Sequence, residues 1–193
     1  LSSALNQSKY DLLIENYFDK ISKKDGITSL NTAFSSEGSF IHIPKNVQVD
    51  KPIQVIYFST GKNESVFYQP RNLIIIGENS QVEIIERHQS LSENSVLVNS
   101  VSEIYCDVRS VVKHYKIQND KTNASLIDNT FVSQERNSDY SLHTFSLGGE
   151  LTRNNLSIIQ NGERIESTIN GITIIGSNPV SYTHLTLPTI RSV

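Results

Sequence analysis

From Ser39 onward the chain is a series of short apolar runs separated by turn-forming residues, and this pattern constrains its fold more than any other feature. The runs are rich in β-branched and aromatic side chains, while the joints between them contain Asn, Gly, Ser and Asp. We therefore predict one strand for each run. The runs are Phe40–Ile43, Ile53–Phe58, Leu73–Ile76, Val82–Ile85, Val96–Val101, Val111–Ile117, Leu142–Phe145, Leu156–Ile159 and Ile172–Ile175.

No helical periodicity follows residue 36, which excludes alternating strand and helix units and leaves a sandwich, a barrel or a parallel solenoid. Asn-Gly, the strongest hairpin signal, occurs only at Asn161-Gly162 and Asn170-Gly171. This scarcity disfavours an antiparallel meander. Periodicity does not choose among the three architectures.

The N-terminal region has a different pattern, with Leu13, Tyr17 and Ile21 at helical spacing. We predict a helix over residues 10–21 that is ended by Asp25-Gly26. A second short helical turn is predicted over Ser29–Phe34.

Charge and composition exclude several classes of partner. The 193 residues carry a formal net charge of -3, without a basic run, so neither nucleic acid nor an anionic membrane is expected as a partner. No apolar run is long enough to span a bilayer. We therefore expect protein partners. Cys106 is the single cysteine and cannot form an internal disulfide, which fits a reducing compartment, and we predict a cytoplasmic location.

Three histidines, His88, His114 and His143, are candidate metal ligands by residue type, but none has an H-x-x-x-H or C-x-x-C spacing. We interpret each as structural or surface-exposed and predict no metal ligands. Cys106 lies at the end of a predicted strand and is interpreted as a half-buried small apolar residue.

The carboxylates Glu83, Glu86 and Glu93 could form an acid/base set, as in β-helix enzymes that cleave sugars. Glu83 and Glu86 differ by three positions, however, which places them on opposite faces of a strand. We interpret all three as solvated and predict no catalytic residues. Gly148-Gly149 and the segment 77–79 are predicted as turns, because no Lys-Ser/Thr follows and no helix begins there.

A resemblance to a known protein family distinguishes among the sandwich, the barrel and the parallel solenoid. The segment Lys116–Ser138, continued by His143–Gly149 and Arg153–Leu156, closely resembles the core of the D-type subunits of the SUF iron–sulfur cluster assembly scaffold, in the SufB/SufD family. Residues 28–178 share further segments with that family in the same order. These segments are Leu30–Phe34, Ile43–Lys45, Lys51–Ile53, Gln69–Asn79 and Glu86–Ser90.

The resemblance implies a right-handed parallel β-helix and a scaffold subunit without enzymatic activity. It further implies pairing with a SufB-like paralogue and binding of a SufC-like ABC ATPase through a C-terminal helical domain. An iron–sulfur cluster or iron would be handled by the intact complex, so we expect no cofactor on this chain and assign no cofactor-binding residue. The alternatives are a secreted carbohydrate-active β-helix protein and an adhesive solenoid.

The resemblance also suggests three segments: a helical segment over residues 1–36, a C-terminally truncated β-helix core over 37–179, and a tail over 180–193. The tail sequence Val180–Thr189 matches the translation of a transposase adapter used for sequencing libraries. We therefore expect native sequence to end near Asn178, a tail without tertiary contacts, and an exposed edge on the strand that includes Gly171–Ile175.

Overall fold

The computed structural model describes residues 1, 4, 7–35, 37–61, 64–174 and 180–190, with the main chain alone for residues 187–190. In these residues a short helical segment precedes two sheets in which all strands run parallel. The predicted fold class is confirmed, because the strands wind into a parallel β-solenoid of about five turns.

Two helices, α1 (Asp11–Tyr17) and α2 (Gly26–Phe34), form the helical segment after a 3₁₀ turn. The helix predicted over residues 10–21 is therefore too long. Asp19 has a left-handed main chain with φ 59°, and the main-chain N–H groups of Asp19 and Ile21 donate to the Glu103 carboxylate instead of continuing the helix.

Asp25 begins α2 rather than ending α1. Its side chain accepts a hydrogen bond of 2.8 Å from the main-chain N–H of Thr28 and so caps the helix. The helical turn predicted over Ser29–Phe34 is the C-terminal part of α2.

Twelve strands are described. Their bounds are β1 Phe40–Ile43, β2 Ile53–Ser59, β3 Val66–Tyr68, β4 Arg71–Ile76, β5 Gln81–Ser90, β6 Val96–Cys106, β7 Val111–Gln118, β8 Ala124–Glu135, β9 Asp139–Leu147, β10 Leu151–Asn161, β11 Glu166–Ile174 and β12 Val180–Ile190. The last predicted run continues to Ile175, which lies outside the described residues.

Sheet A has the strand order β1-β4-β6-β8-β10-β12, with β3 also paired to β6, and sheet B has the order β11-β9-β7-β5-β2. From β4 onward the chain contributes strands alternately to sheet A and sheet B, and each new strand pairs with the previous strand of the same sheet. The stacked positions Ile43, Ile76, Cys106 and Gln134 show that successive coils differ in length, at 33, 30 and 28 residues. Because the coil length varies, no fixed repeat appears in the sequence.

A left-handed residue marks the same corner of each coil, at Asn46, Asn79, Arg109, Asn137 and Arg164. The N–H group of Asn79 donates to the carbonyl of Val108 on the next coil, and that of Asn137 donates to Glu163. The predicted turns at 77–79 and Gly148-Gly149 are confirmed as joints between strands. Gly148, at φ 111°, has no room for a Cβ, which would lie 2.6 Å from the carbonyl oxygen of Asp120.

Strand β8 was not predicted, because three of its six inward positions are polar and interrupt the apolar ones. Asp128, Thr130 and Gln134 point inward and are buried there, so the strand shows no alternation of apolar and polar residues. Strand β3, with three residues, was also missed.

The expectation that the tail lacks tertiary contacts is wrong for Val180–Ile190, which pairs in parallel with β10. Main-chain pairing of this kind needs only an open strand edge and a β-branched segment, and the tail offers three threonines, one valine and one isoleucine over these residues. Its adapter origin and the three-segment division stay predictions. The predicted open edge is present on sheet B, where β11 is the terminal strand and mostly exposed.

The helical segment covers the outer face of sheet A. Arg71 and Glu103, on β4 and β6, are both buried there and form an ion pair of 2.6 Å. Asp19 also pairs with Arg71, at 3.2 Å, and the ring of Tyr17 packs edge-on against Tyr105 with centroids 4.7 Å apart. This contact set, the Arg71 clamp, fixes the helical segment to the solenoid.

Candidate functional site

The interior of the solenoid is divided into an apolar half and a polar half. Strand β7 shows the division: its inward positions are Val112, His114, Lys116 and Gln118, in that order along the strand. Strand pairing aligns Val112 with Val82, Lys116 with Glu86 and Gln118 with His88, whereas His114, at the boundary between the halves, is aligned with Ile84. The inward polar side chains form what we term the polar column: Tyr57, Asn72, Glu86, His88, Ser100, Ser102, Lys116, Gln118, Asp128 and Thr130.

Lys116 is the centre of the polar column. Its Nζ donates to Asp128 Oδ2 at 2.7 Å and to Thr130 Oγ1 at 2.6 Å, both on the opposite sheet. It also lies 3.2 Å from Glu86 Oε2 on the neighbouring strand. The ammonium group therefore bridges two coils and both sheets, and holds the two buried carboxylates together.

A histidine and a tyrosine extend this ion set toward the apolar half. His114 Nε2 lies 3.2 Å from Glu86 Oε2, and His114 Nδ1 lies 2.9 Å from the Tyr140 hydroxyl. Both rings are fully buried. If the Tyr140 hydroxyl donates to Nδ1 and the Nε2–H group points at Glu86, a single neutral tautomer of His114 suits both neighbours. The five polar groups from Tyr140 to Asp128 thus form one continuous series, the ion chain.

The pKa shifts agree with a chain that stays charged. Burial alone raises the pKa of Glu86, but Lys116 and His114 outweigh it and hold that pKa well below its usual range. Burial likewise lowers the pKa of Lys116, whereas Asp128 and Glu86 raise it above its ordinary value of 10.5. Both groups are therefore ionised at neutral pH, each because of the other.

The side chains of the polar column nearest β2 are connected by hydrogen bonds between uncharged groups. The Tyr57 hydroxyl donates to Asn72 Oδ1 at 2.8 Å, and Asn72 Nδ2 donates to Ser102 Oγ at 3.0 Å. Burial raises the pKa of the Tyr57 hydroxyl far above its ordinary value, so it remains a donor. The His88 ring stacks on Tyr57 with centroids 4.7 Å apart.

His88 is the least satisfied member of the column. Among the described residues, neither of its ring nitrogens has a hydrogen-bond partner, although the residue is buried. Burial lowers the pKa of His88 below its ordinary value of 6.5, against the opposing effects of Asp128 and Glu86. The ring is therefore neutral at neutral pH.

The structure gives the position of each of the three histidines. His88 and His114 are buried in the solenoid interior, and His143 is half-exposed and stacks on Tyr115 with centroids 5.1 Å apart. Within the described part of the chain no group of His, Cys, Asp and Glu is arranged to hold a metal ion. The prediction of no metal ligand stays a prediction for the whole chain.

The carboxylate interpretation is right for two residues and wrong for the third. Glu83 pairs with Lys113 at 3.1 Å and Glu93 pairs with Lys121, both at the surface. Glu86 is fully buried, because its strand alternates and position 86 points inward. An inward carboxylate on β5 is tolerated because the stacked residue on β7 is a lysine.

Cys106 is more deeply buried than predicted, in the apolar half among residues such as Ile76 and Val132. Burial raises the pKa of its thiol far above the ordinary value, so the thiol is not a ready nucleophile. The interpretation of Cys106 as a small apolar core residue agrees with this position.

Sequence reasoning missed Lys116, Asp128 and the Arg71 clamp. A signal for Lys116 was available: Val112, His114, Lys116 and Gln118 share one face of a strand whose other face is Val111, Lys113, Tyr115 and Ile117. Neither face is apolar throughout, so the sequence alone does not indicate which of them points inward.

Among the described helices, none is long and apolar enough to cross a membrane.

Comparison with known proteins gives two matches to family models. The model described as "SUF system FeS cluster assembly, SufBD core domain" matches residues 57–190, and the model described as "SufBD protein N-terminal region" matches residues 2–55. The core match begins within β2 and includes every later strand.

Curated relatives agree with these matches. The iron–sulfur cluster assembly SufBD family protein slr0076 of Synechocystis is 30% identical over 185 residues, which cover 90% of this chain and 40% of that protein. Protein ABCI7, chloroplastic, of Arabidopsis thaliana is 29% identical, over 77% of this chain and 33% of that protein. The iron–sulfur cluster assembly protein SufD of Bacillus subtilis is 29% identical, over 55% of this chain and 25% of that protein. The chain therefore spans two fifths or less of the length of these relatives.

Proposed function

Because this chain belongs to the SufBD family of SUF system iron–sulfur cluster assembly proteins, we propose that it is a D-type scaffold subunit of the SUF assembly complex. The observation that carries the proposal is the core-domain match over residues 57–190, which coincides with the described solenoid. In this proposal the subunit works in the cytoplasm beside a SufB-like paralogue and a SufC-like ATPase.

The chemistry of the described interior supports a structural rather than a catalytic role. Each ionised group of the ion chain is already paired with another, since the Lys116 ammonium donates to Asp128 and Thr130 and forms an ion pair with Glu86. The buried thiol of Cys106 belongs to the apolar half. We therefore propose that the chain catalyses no reaction itself, and that iron, sulfide or a cluster is cargo of the whole complex.

The surface carboxylates disfavour the carbohydrate-active alternative. In the described residues Glu78, Glu83 and Glu93 each pair with a cation on the following coil, at Arg109, Lys113 and Lys121. A sugar-cleaving groove needs two carboxylates free to act on one bond. No observation favours the adhesive alternative.

Co-purification tests the proposal. The tagged full-length gene product should be co-expressed with the SufB-like paralogue and the SufC-like ATPase, and with each of them alone. We expect the paralogue to co-purify in stoichiometric amount and the ATPase to join the complex. A chain that recovers neither protein, yet is folded by circular dichroism, would contradict the scaffold role.

A variant of a surface lysine serves as a control for complex formation. Lys113 and Lys116 lie on the same strand, with Lys113 on the outer face and Lys116 inside. Lys113→Met should leave complex formation and complementation of a D-subunit deletion intact.

A reconstitution experiment tests where the cluster is handled. Anaerobic incubation of the isolated chain with ferrous iron and sulfide should give no cluster absorbance. A stable cluster on the isolated chain would refute the assignment of cluster handling to the complex.

A further inference from the structure

At one height, the outer face of sheet B carries an apolar side chain on four of its five strands and an arginine on the fifth. The strand registers align Ile56, Arg87, Ile117, Phe145 and Ile172 side by side. These positions alternate with the inward ones, and the exposed fraction of the side chain is 40% at Ile56 and 55% at Ile172. We term these five residues the apolar row.

Contiguous apolar side chains on an outward sheet face mark a surface to which another structural element can bind. Sheet A of the same chain shows what such a cover can be. Its outer face is packed against the helical segment, which supplies an aromatic ring from Tyr17 and a carboxylate from Asp19. The carboxylate pairs with Arg71, a cation placed among the outward apolar residues Leu73 and Ile75 of the same strand.

Arg87 occupies the corresponding role on sheet B, but without an acidic partner. It lies between Ile56 and Ile117 in the apolar row, and no carboxylate of the described residues is within ion-pair distance of its guanidinium group. Its Nε is buried and has no hydrogen-bond partner among the described atoms. The face therefore combines apolar surface with one unpaired cation, which is complementary to an apolar surface with one carboxylate.

The same face of a second copy does not provide that complement. Glu83, the nearest carboxylate on the face, is paired with Lys113. Asp139 and Glu166 lie at the far end of the strands, six residues or about 20 Å from Phe145 and Ile172. A copy that placed either of them on Arg87 would leave the apolar row uncovered.

We propose that the apolar row binds an amphipathic α-helix of a partner protein, which packs aliphatic or aromatic side chains on the row and pairs a carboxylate with Arg87. Five strands spaced about 4.8 Å apart give a row about 19 Å long, which a helix of about 13 residues covers. The inference rests on the sheet B surface alone and holds for any partner of this chemistry.

Photo-crosslinking in the cell identifies the occupant. A benzophenone-bearing phenylalanine is placed at Ile117, in the centre of the row, and at Ser141 as a control on the polar part of the same face. We expect a crosslinked peptide at Ile117 that is absent at Ser141 and whose sequence has a helical apolar stripe with an acidic residue. A crosslink to a second copy, a crosslink to lipid, or no crosslink above the control would each overturn the proposal.

A charge swap then tests the contact directly. The mapped peptide is synthesised and its Kd is measured by calorimetry for the wild-type chain, Arg87→Glu and Lys113→Glu. We expect at least a tenfold weaker Kd for Arg87→Glu, restoration when the acidic residue of the peptide is changed to Arg, and no more than a threefold change for Lys113→Glu. An affinity that does not depend on Arg87 overturns the proposal, and Arg87→Gln replaces Arg87→Glu if the latter loses its native circular dichroism spectrum.

Discussion

The two halves of the solenoid interior are equally buried but are stabilised by opposite means. The apolar half, around Ile76, Ile104 and Val132, is held by packing alone, with these three side chains 0% exposed. The polar half is held by the ion chain, in which Lys116 offsets the charges of Glu86 and Asp128. Packing energy is distributed over many contacts, whereas an ion chain depends on each member, because any group left without its partner remains buried and charged.

The largest expected effect comes from breaking the ion chain at its cation. Lys116→Met leaves Glu86 and Asp128 buried without their ammonium partner, and we expect a loss of about 3–5 kcal/mol in the free energy of unfolding. Lys113→Met is the matched control, since this lysine is on the outer face, and a surface change of this kind stays within about 0.5 kcal/mol. Urea denaturation measures both, and equal losses for the two variants would contradict the assigned role of Lys116.

Truncation in the apolar half should cost somewhat less. Ile104→Ala removes three methyl or methylene groups from a fully buried position and leaves a cavity, for an expected loss of about 2–4 kcal/mol. Ile104→Val, which removes one methylene, should cost about 1 kcal/mol. A graded response of this kind distinguishes packing from the ion chain. An Ile104→Ala loss below that of Ile104→Val would show that the apolar half is not tightly packed.

The unpaired histidine makes the polar half sensitive to acid. The folded pKa of His88 lies below its ordinary value of 6.5, so below that pH the unfolded chain binds more protons than the folded chain. Stability should therefore fall as the pH drops below about 6.5, by up to about 1.4 kcal/mol per pH unit, until the folded pKa is reached. The depressed pKa of Glu86 adds a further loss below its ordinary value of 4.5.

Replacing His88 tests this origin of the acid sensitivity. His88→Gln should flatten the stability profile between neutral pH and about pH 5, while His143→Gln, at a half-exposed position, serves as the control. Urea denaturation at a series of pH values gives the slopes. An unchanged slope in His88→Gln would assign the acid sensitivity to another group.

The smallest expected effect is that of removing all three charges at once. In the triple variant Glu86→Gln, Lys116→Met and Asp128→Asn, no buried charge lacks a partner, and buried ion sets replaced as a whole are often neutral in stability. We expect the triple variant to lie within about 1 kcal/mol of the wild type, and hence to be more stable than Lys116→Met alone. A triple variant as unstable as the single one would mean that Lys116 contributes through its packing rather than its charge.

The strands with the most apolar inward positions were the most predictable. Strand β1 has the predicted bounds Phe40–Ile43, and the other predicted runs lie within longer strands, except that the last run extends past the described end of β11. The run at Val82–Ile85 captured only the apolar half of β5, because Glu86 and His88 follow on the same inward face. Strand β8 was missed for the same reason, and the first helix was predicted too long because Glu103, more than 80 positions away, binds the main chain after it.

The sequence by itself determined the strand-rich class, the turn positions and the family, because apolar runs, Asn and Gly at joints and ordered family segments are local features of the chain. Only the tertiary structure decided which charged residues are buried and which partner each one has. Glu83 and Glu86 are three positions apart in sequence, yet one faces solvent and the other faces Lys116 and His114. The coils vary in length, so the residue stacked on any position depends on the register of strands that lie about 30 residues apart, and local sequence does not encode that register.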